Sequence, residues 1–404
     1  MHKNTKVCVV GLGYIGLPTA ALIASKGFSV LGLDVKPEVI EKINRGEVHI
    51  VEPDLAGLVK IVVDQGNLKA ALSPVAADVF LIAVPTPVDS QNGPDLKYIQ
   101  QAAATIAPVI QSGNLVILES TSPIGTTEKL YADIIERRPD LAGKIHCAYC
   151  PERVLPGKVI YELEHNDRVI GGVDSASTEK AVSFYQGFVK SQLFRSNART
   201  AEMCKLVENA YRDANIAFAN ELSMICDKAN INVWDLISLA NRHPRVNILQ
   251  PGPGVGGHCI AVDPWFIVSD FPQDATLIRN AREINLKKTD WVIEKIEQEI
   301  KRHETSGKKP TVAIMGLSYK PDIDDLRESP SVEIYKQMSL KHQLVAVEPN
   351  IETLAGFNLV SLEESVNLAD IFVYLVPHKD FSGTHTKLGN KTILDFCGLT
   401  RQSA

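Results

Sequence analysis

Short apolar runs alternate with segments of helical character along the first half of the chain. Five runs have the length and composition of buried strands, and they cover residues 6–10, 29–34, 79–84, 115–118 and 169–172. Two of the stretches between them, residues 96–110 and 127–136, are compatible with helices. Strands that alternate with helices predict a parallel sheet of the α/β class.

The last quarter of the chain repeats this pattern. Four apolar runs are each followed by turn residues, and they cover residues 311–315, 344–348, 371–376 and 392–396. Their composition predicts buried parallel strands, and so a second nucleotide-type fold. This region lacks the G-x-G-x-x-G spacing, so no second dinucleotide is implied.

A long helix is predicted between the two α/β regions, because neither glycine nor proline occurs from Phe188 to His243. Thr200 is a good N-cap for this helix, and a second helix is predicted after Asn232. Lys205, Asn209 and Arg212 fall at positions i, i+4 and i+7, so they project from one stripe. That stripe is either a solvated polar face or a set of groups that contacts a ligand.

The first apolar run leads directly into Gly11-x-Gly13-x-x-Gly16 and an alanine-rich stretch. Strand, glycine turn and helix in this order seat a pyrophosphate on a helix N-terminus. Asp34 ends the second run, where its carboxylate can accept hydrogen bonds from an adenine ribose. The sequence therefore predicts an NAD-binding Rossmann domain, although the nearby Lys36 leaves NADP open.

Two threonines follow early strands at the edge where open parallel sheets bind ligands. Thr86 lies in Pro85-Thr86-Pro87 and Thr121 in Glu119-Ser120-Thr121. Both are candidate pocket residues. The alternative is that these turns only cap the next helix.

Cys259 lies in a glycine-dense segment that runs from Gly252 to Pro264, with Asp263 four residues further on. Glycines let a backbone and a ligand approach closely, and a thiol in such a turn becomes a nucleophile once it is ionised. The alternative is a tight surface loop that contains a small buried cysteine.

Composition limits the classes of function. A chain of 404 residues with 45% apolar content predicts two or three domains. A net charge of -6 gives no electrostatic footprint for nucleic acid, and no apolar run is long enough to cross a bilayer. We expect a cytoplasmic enzyme with a small substrate, and the seven scattered cysteines favour a reducing compartment.

No metal is predicted, because Cys147 and Cys150 form a C-x-x-C that has no second pair. A different charged cluster follows the first strand of the last region. Lys320 and Arg327, with Asp324 and Asp325 between them, either meet the phosphates of a nucleotide or form a surface salt-bridge cluster.

Seven motifs occur in order along nearly the whole chain. They are Gly11-x-Gly13-x-x-Gly16, Pro85-Thr86-Pro87, Glu119-Ser120-Thr121-x-Pro123-x-Gly125, Pro151-Glu152-Arg153, Glu202-Met203-x-Lys205-Leu206-x-Glu208-Asn209, Gly256-Gly257-His258-Cys259 and Asp324-x-x-Arg327-x-Ser329-Pro330. Together they resemble the UDP-glucose/GDP-mannose dehydrogenase family. The resemblance implies a Rossmann NAD-binding domain in residues 1–195, a long-helix dimerisation and catalytic region in 196–300, and a Rossmann-like UDP-sugar-binding domain in 301–404.

The resemblance also implies a reaction, the four-electron oxidation of a sugar C6 alcohol to a carboxylate with two NAD. Cys259 would carry a thiohemiacetal and then a thioester, and Lys205 and Asn209 would stabilise the oxyanion at C6. Asp263 or Glu152 would act on the water that releases the acid. The resemblance also places Thr121 among the catalytic residues.

Binding residues and a homodimer are carried over by the same resemblance. The expected NAD contacts are Gly11, Gly13, Tyr14, Ile15, Gly16, Asp34, Thr86, Thr121, Thr127 and Arg327. The expected UDP-sugar contacts are Arg153, Val154, Lys205, Asn209, Arg212, His243, Arg245, Gly256, Tyr319 and Lys320. Family members place an arginine of the segment 243–245 in the partner subunit's site.

The sugar is suggested by two segments, residues 241–247 and 259–264, which are most similar to those of members acting on UDP-N-acetyl-D-mannosamine in surface-polysaccharide synthesis. UDP-glucose members tend to carry lysine at the position of Val262. UDP-N-acetylglucosamine is the alternative substrate. Two further alternatives are a two-electron hydroxy-acid dehydrogenase and a sensor that binds nucleotides without turnover.

Overall fold

The computed structural model describes residues 5–89, 92–257, 259–307 and 309–400. The chain divides into two compact units between Glu208 and Asn209. His258, which belongs to one of the predicted motifs, lies outside the described residues.

Unit 1 is built on an eight-stranded sheet. Its strands are β1 (Lys6–Val10), β2 (Ser29–Leu33), β3 (Leu68–Ala71), β4 (Val79–Ile82), β5 (Leu115–Leu118), β6 (His146–Tyr149), β7 (Arg168–Gly172) and β8 (Leu193–Asn197). The strand order is β3-β2-β1-β4-β5-β6-β7-β8, and every neighbouring pair is parallel except β6 with β7. This is the doubly wound arrangement of a Rossmann domain.

The helices of unit 1 follow the strands in sequence. They are α1 (Gly16–Ser25), α2 (Pro37–Asn44), α3 (Leu55–Asp64), α4 (Lys97–Ile106), α5 (Thr126–Arg137), α6 (Val159–His165) and α7 (Ser175–Tyr185). The sheet is buried on both faces because both alternating sets of side chains are apolar. In β1, for example, Val7 and Val9 join one hydrophobic cluster, and Cys8 and Val10 join the other.

The long helix is confirmed as α8 (Ala198–Ala229), which has 32 residues. The prediction that Thr200 caps it is wrong. The Asn197 side chain at the end of β8 accepts a hydrogen bond from the backbone N–H of Thr200 at 2.9 Å, so the helix already begins at Ala198. The next helix, α9 (Val233–Ala240), starts where predicted, and Asn232 caps it.

Unit 2 carries a smaller sheet. Its remaining elements are α10 (Asp263–Asp270), α11 (Thr276–Thr305), β9 (Thr311–Met315), α12 (Pro330–Ser339), β10 (Gln343–Val347), α13 (Leu362–Leu368), β11 (Ile371–Tyr374) and β12 (Thr392–Asp395). The four strands are parallel in the order β10-β9-β11-β12. The predicted α/β class is therefore confirmed in both units.

Every predicted strand is present, but three strands of unit 1 have no counterpart among the predictions. Strand β3 contains Lys69, β6 begins with His146, and β8 lies at the sheet edge with mostly exposed side chains. Strands that are interrupted by polar residues or exposed lack the continuous apolar run on which the predictions depended. None of the described helices is both long enough and apolar enough to cross a membrane.

Candidate functional site

The glycine turn after β1 is held by close backbone packing. Gly11 has φ +92°, and a Cβ there would lie 2.7 Å from the Ala83 carbonyl oxygen. A Cβ on Gly16 would lie 1.8 Å from the Gly11 carbonyl oxygen. A Cβ on Gly13 would meet nothing within 4 Å, so the outer side of the turn is open to a ligand.

The chemistry around this turn fits NAD. Helix α1 begins at Gly16 directly after the turn, without a side-chain cap from any described residue, which is the arrangement that places an anion at a helix N-terminus. The Asp34 carboxylate accepts hydrogen bonds from the backbone N–H groups of Leu12 and Lys36, each at 3.1 Å, which fixes it beside the turn. The buried Thr86 hydroxyl has no hydrogen-bond partner among the described residues, as expected of a group that meets a ligand.

We expect Asp34→Ala to weaken NAD binding by roughly 10-fold or more, because a ribose hydroxyl would lose a charged acceptor. Titration of the purified protein with NAD measures the effect. Asp64→Ala, which removes an exposed carboxylate at the end of α3, is the matched control. Equal NAD affinity in both variants would remove Asp34 from the ribose site.

Thr121 and Thr127 lie near the end of β5 and the start of α5. Thr121 is half-buried, whereas Thr127 is fully buried and its hydroxyl donates to Glu202 at 2.7 Å. The same carboxylate accepts from the backbone N–H groups of Gly125 and Thr127 at 2.6 and 2.7 Å. Glu202 therefore caps α5, a role that the sequence analysis did not assign. An NAD contact of Thr127 stays a prediction.

Glu152, Arg153 and Val154 follow β6. Glu152 is buried, and one of its oxygens lies 3.3 Å from each terminal nitrogen of Arg168. Arg153 forms an ion pair with Glu208 at 2.7 Å, and Val154 is half-buried. The loop therefore carries a buried carboxylate that Arg168 holds through its guanidinium and Arg153 through its backbone N–H.

The C-x-x-C cysteines lie in the same region as buried thiols. Burial raises the pKa of Cys150 to about 11 and that of Cys147 further. All seven cysteines are reduced. No group of three or more metal-binding side chains occurs among the described residues.

In unit 2 the structure brings Asn209, Asp263 and Cys259 together. The Asn209 amide donates to the Asp263 carboxylate at 2.5 Å, and both residues are buried. Asp263 is the first residue of α10, and its backbone N–H donates to the Cys259 carbonyl at 2.8 Å. Cys259 itself is exposed, so the alternative of a small buried cysteine is wrong.

The glycines before Cys259 pack against the segment that follows β9. A Cβ on Gly256 would lie 2.6 Å from the Cβ of Tyr319, and the backbone N–H of Gly257 donates to the Arg327 carbonyl at 3.0 Å. The Arg327 guanidinium forms an ion pair with Asp325 at 2.5 Å. The predicted residues Gly256, Tyr319 and Arg327 therefore belong to one cluster with Cys259. Lys320 is exposed beside them.

The other predicted residues are exposed or lie on α8. Lys205 is half-buried on α8, and Arg212 is exposed on the same helix. His243 and Arg245 are exposed in the loop after α9, where their side-chain nitrogens lie 3.4 Å apart. Their contacts with a UDP-sugar stay predictions.

The turn after β9 repeats the turn after β1, which was not predicted from the sequence. Gly316 has φ +93°, and its N–H donates to the Val347 carbonyl at 2.9 Å, as Gly11 donates to Leu33 at 2.8 Å. The N–H of Leu317 donates to Glu348 at 2.7 Å, as Leu12 donates to Asp34. The signal was an acid directly after the second strand of each sheet.

Glu348 nonetheless makes contacts that Asp34 does not make. The buried His378 ring lies 3.2 Å from its carboxylate, and the backbone N–H of Ser318 donates to it at 3.0 Å. Burial opposes ionisation, but these bonds and the one from Leu317 together lower the pKa of Glu348 to about 2. The carboxylate therefore orders the segment that carries Tyr319 and Lys320.

Glu348→Gln should lower the free energy of unfolding by roughly 1–3 kcal/mol at pH 7, because it weakens these charged hydrogen bonds. The folded-state pKa lies below the usual value of 4.5, so the contribution is present above that value and is lost as pH falls toward 2. Urea unfolding at pH 7 and pH 3 measures it. The exposed Glu352 supplies the control variant Glu352→Gln, and an equal loss in both variants at pH 7 would contradict the assignment.

Comparison with known proteins adds to this geometry. Three models of one family match in order: the NAD binding domain of the UDP-glucose/GDP-mannose dehydrogenase family at residues 5–189, its central domain at 199–287 and its UDP binding domain at 313–402. The chain belongs to the UDP-glucose/GDP-mannose dehydrogenase family. It is therefore an NAD-dependent nucleotide-sugar dehydrogenase, as its motifs predicted.

Two relatives within this family match over nearly their whole length. The UDP-N-acetyl-D-mannosamine dehydrogenase of Campylobacter jejuni is 51% identical, with 98% of this chain and 100% of the relative covered. The NDP-N-acetyl-D-galactosaminuronic acid dehydrogenase of Ralstonia nicotianae is 52% identical, with 97% and 96% covered.

Two solved structures of the family have the same fold. The UDP-D-ManNAc dehydrogenase of Pyrococcus horikoshii gives a TM-score of 0.88 at 38% identity, with 98% of this chain and 96% of that chain covered. The UDP-N-acetyl-mannosamine dehydrogenase Cap5O of Staphylococcus aureus gives 0.85 at 40% identity, with 99% and 96% covered.

Proposed function

We propose that this dehydrogenase oxidises the C6 alcohol of UDP-N-acetyl-D-mannosamine to the carboxylate, for the synthesis of a bacterial surface polysaccharide. The observation that carries the proposal is the end-to-end similarity to the Campylobacter jejuni relative. The exposed thiol of Cys259 beside the buried Asn209–Asp263 pair supports a covalent route. When bound, NAD supplies the hydride acceptor for each of two oxidations.

Lys205 and Asn209 act on the oxygen at C6. As the alcohol proton passes to solvent and the hydride leaves, the cation of Lys205 stabilises the negative charge on the oxygen, and an aldehyde results. The bond from Asn209 to Asp263 fixes the orientation of the Asn209 amide, so it needs no reorganisation during the reaction.

Cys259 acts on the aldehyde. Its thiolate forms a C–S bond to C6, which gives a tetrahedral thiohemiacetal able to lose a second hydride. The product of that loss is a thioester on Cys259. The covalent adduct therefore supplies the tetrahedral carbon from which the second hydride leaves.

Asp263 or Glu152 acts on the water that completes the reaction. A carboxylate takes a proton from the water as its oxygen bonds to C6, the C–S bond breaks, and the acid leaves with Cys259 restored as thiolate. Both candidate carboxylates are buried and hydrogen-bonded, so their orientations are fixed.

We also propose a homodimer in which an arginine of the segment 243–245 enters the partner's site, and we keep the domain limits 1–195, 196–300 and 301–404. The exposure of His243 and Arg245 supports the shared site. The need for an ionisable Cys259 favours a reducing compartment, and we place the enzyme in the cytoplasm.

A second candidate substrate is favoured by the Ralstonia nicotianae relative, which is as similar as the first. It is a nucleoside-diphosphate N-acetyl-D-galactosamine, whose sugar differs from N-acetyl-D-mannosamine in configuration at C2 and C4. Discrimination between such isomers depends on a few contacts.

The test measures NADH formation with UDP-N-acetylmannosamine, UDP-N-acetylgalactosamine, UDP-N-acetylglucosamine, UDP-glucose and GDP-mannose. We expect the highest kcat/KM with UDP-N-acetylmannosamine, and two NADH for each sugar consumed. One NADH per sugar would support a two-electron dehydrogenase, and binding without turnover would support a sensor. A higher kcat/KM with another sugar would reassign the substrate.

A further inference from the structure

Glu119 is a buried carboxyl group at the end of β5 that has no part in the proposed reaction. Its side chain is almost fully buried, and one oxygen accepts a hydrogen bond from the Tyr185 hydroxyl at 2.6 Å. The same oxygen lies 4.0 Å from the Arg168 guanidinium. The other oxygen is buried and has no hydrogen-bond partner among the described residues.

Arg168 is shared by two carboxyl groups. Both of its terminal nitrogens lie 3.3 Å from one oxygen of Glu152, and one of them lies 4.0 Å from Glu119. The guanidinium also lies 3.9 Å from the Cys150 sulfur and 5.3 Å from the centre of the Tyr185 ring. All three side chains are buried, so one cation facing two carboxylates leaves an uncompensated charge unless one carboxyl holds a proton.

Glu119 is the group that holds this proton. Glu152 accepts two hydrogen bonds from Arg168 and one from the backbone N–H of Arg153, whereas one oxygen of Glu119 has no donor. Burial raises the pKa of Glu119 to about 7, and the nearby charge of Glu152 raises it as well. The charge of Arg168 and the hydrogen bond from Tyr185 lower this pKa but do not offset the burial. This direction agrees with the geometry, in which Glu119 is the carboxyl that lacks donors.

We propose that Glu119 is a positioning residue that acts through Arg168 to set how strongly Glu152 draws a proton from the hydrolytic water. The inference rests on the proposed function and takes Glu152 as the carboxylate that acts in thioester hydrolysis. While Glu119 is protonated, the Arg168 cation pairs with Glu152 alone. When Glu119 is ionised, it shares the same guanidinium, which then holds the Glu152 carboxylate less firmly and leaves it freer to accept a proton from the water.

The experiment follows thioester hydrolysis in single turnovers of the full-length protein between pH 6 and pH 9. Glu119→Gln keeps the size of the side chain and an acceptor for Tyr185, but it cannot ionise. We expect the wild type and this variant to hydrolyse the thioester equally at pH 6. At pH 9 the wild type should be faster by about 10-fold, with the ratio of rates rising through a midpoint near pH 7.

A second variant tests the same network without removing Glu119. The hydrogen bond from Tyr185 favours ionised Glu119, so Tyr185→Phe should move the midpoint to higher pH. Glu128→Gln removes an exposed carboxylate on α5 and should leave the profile unchanged. The ratio of wild-type to variant rates cancels the direct effect of hydroxide on the thioester.

A ratio that stays constant from pH 6 to pH 9, or a midpoint that Tyr185→Phe does not move, would overturn the inference. Failure of the proposed function has a different signature. In that case the wild type would form no thioester on Cys259 and no acid. If acid forms through Cys259 but the ratio of wild-type to Glu119→Gln rates stays constant with pH, only the role of Glu119 is contradicted.

Discussion

Cys259→Ser should lower the rate of acid formation by on the order of 10³-fold or more. A serine hydroxyl remains protonated where a thiol ionises, so the variant cannot form the tetrahedral adduct that loses the second hydride. The first oxidation does not use the sulfur, so at most one NADH per sugar should form. NADH counting together with chromatography of the sugar product measures both quantities.

The matched control is Cys226→Ser, which replaces a buried cysteine of α8 with no assigned role. It should keep two NADH per sugar. Acid production by Cys259→Ser at the wild-type rate would rule out the covalent route.

Lys205→Ala should lower kcat by about 10²–10³-fold, the usual effect of removing one oxyanion donor, while NAD affinity stays unchanged. The expected NAD contacts of α1 and Asp34 do not involve this side chain. Steady-state kinetics with the preferred UDP-sugar and direct NAD titration separate the two effects.

Lys228→Ala removes an exposed lysine in the last turn of the same helix and serves as the control. It should leave kcat unchanged. A Lys205→Ala variant with the turnover of this control would exclude Lys205 from the chemistry.

The glycine turn and the acid after β2 could be predicted from the sequence, because each is marked by a pattern within a short stretch of chain. The three glycines follow one apolar run at fixed spacing, and Asp34 directly ends the next run. Cys259 was found for the same reason, since glycines adjacent in sequence define its turn. The distant Ala83, against which Gly11 packs, could not be predicted in this way.

The buried polar networks could not be predicted, because their members are distant in sequence and look ordinary in it. Arg168 begins the apolar run of β7, and nothing in the run shows that it faces Glu119 and Glu152. His378 likewise follows β11, 30 residues after Glu348, with which it pairs. The position of a long-range partner is set by strand order, which apolar periodicity does not contain.

The start of α8 was predicted wrongly for a related reason. Thr200 and Asn197 are both good capping residues, and their order along the chain does not say which one ends the preceding strand. In the structure β8 runs to Asn197, so α8 begins three residues before the predicted first turn would have started.

Mass spectrometry of the enzyme quenched during turnover tests the central claim most directly. The account predicts that the peptide containing Cys259 gains the mass of the oxidised UDP-sugar as a thioester, and that alkylation of Cys259 abolishes both the adduct and the acid. Acid formation at the normal rate by fully alkylated enzyme would contradict it.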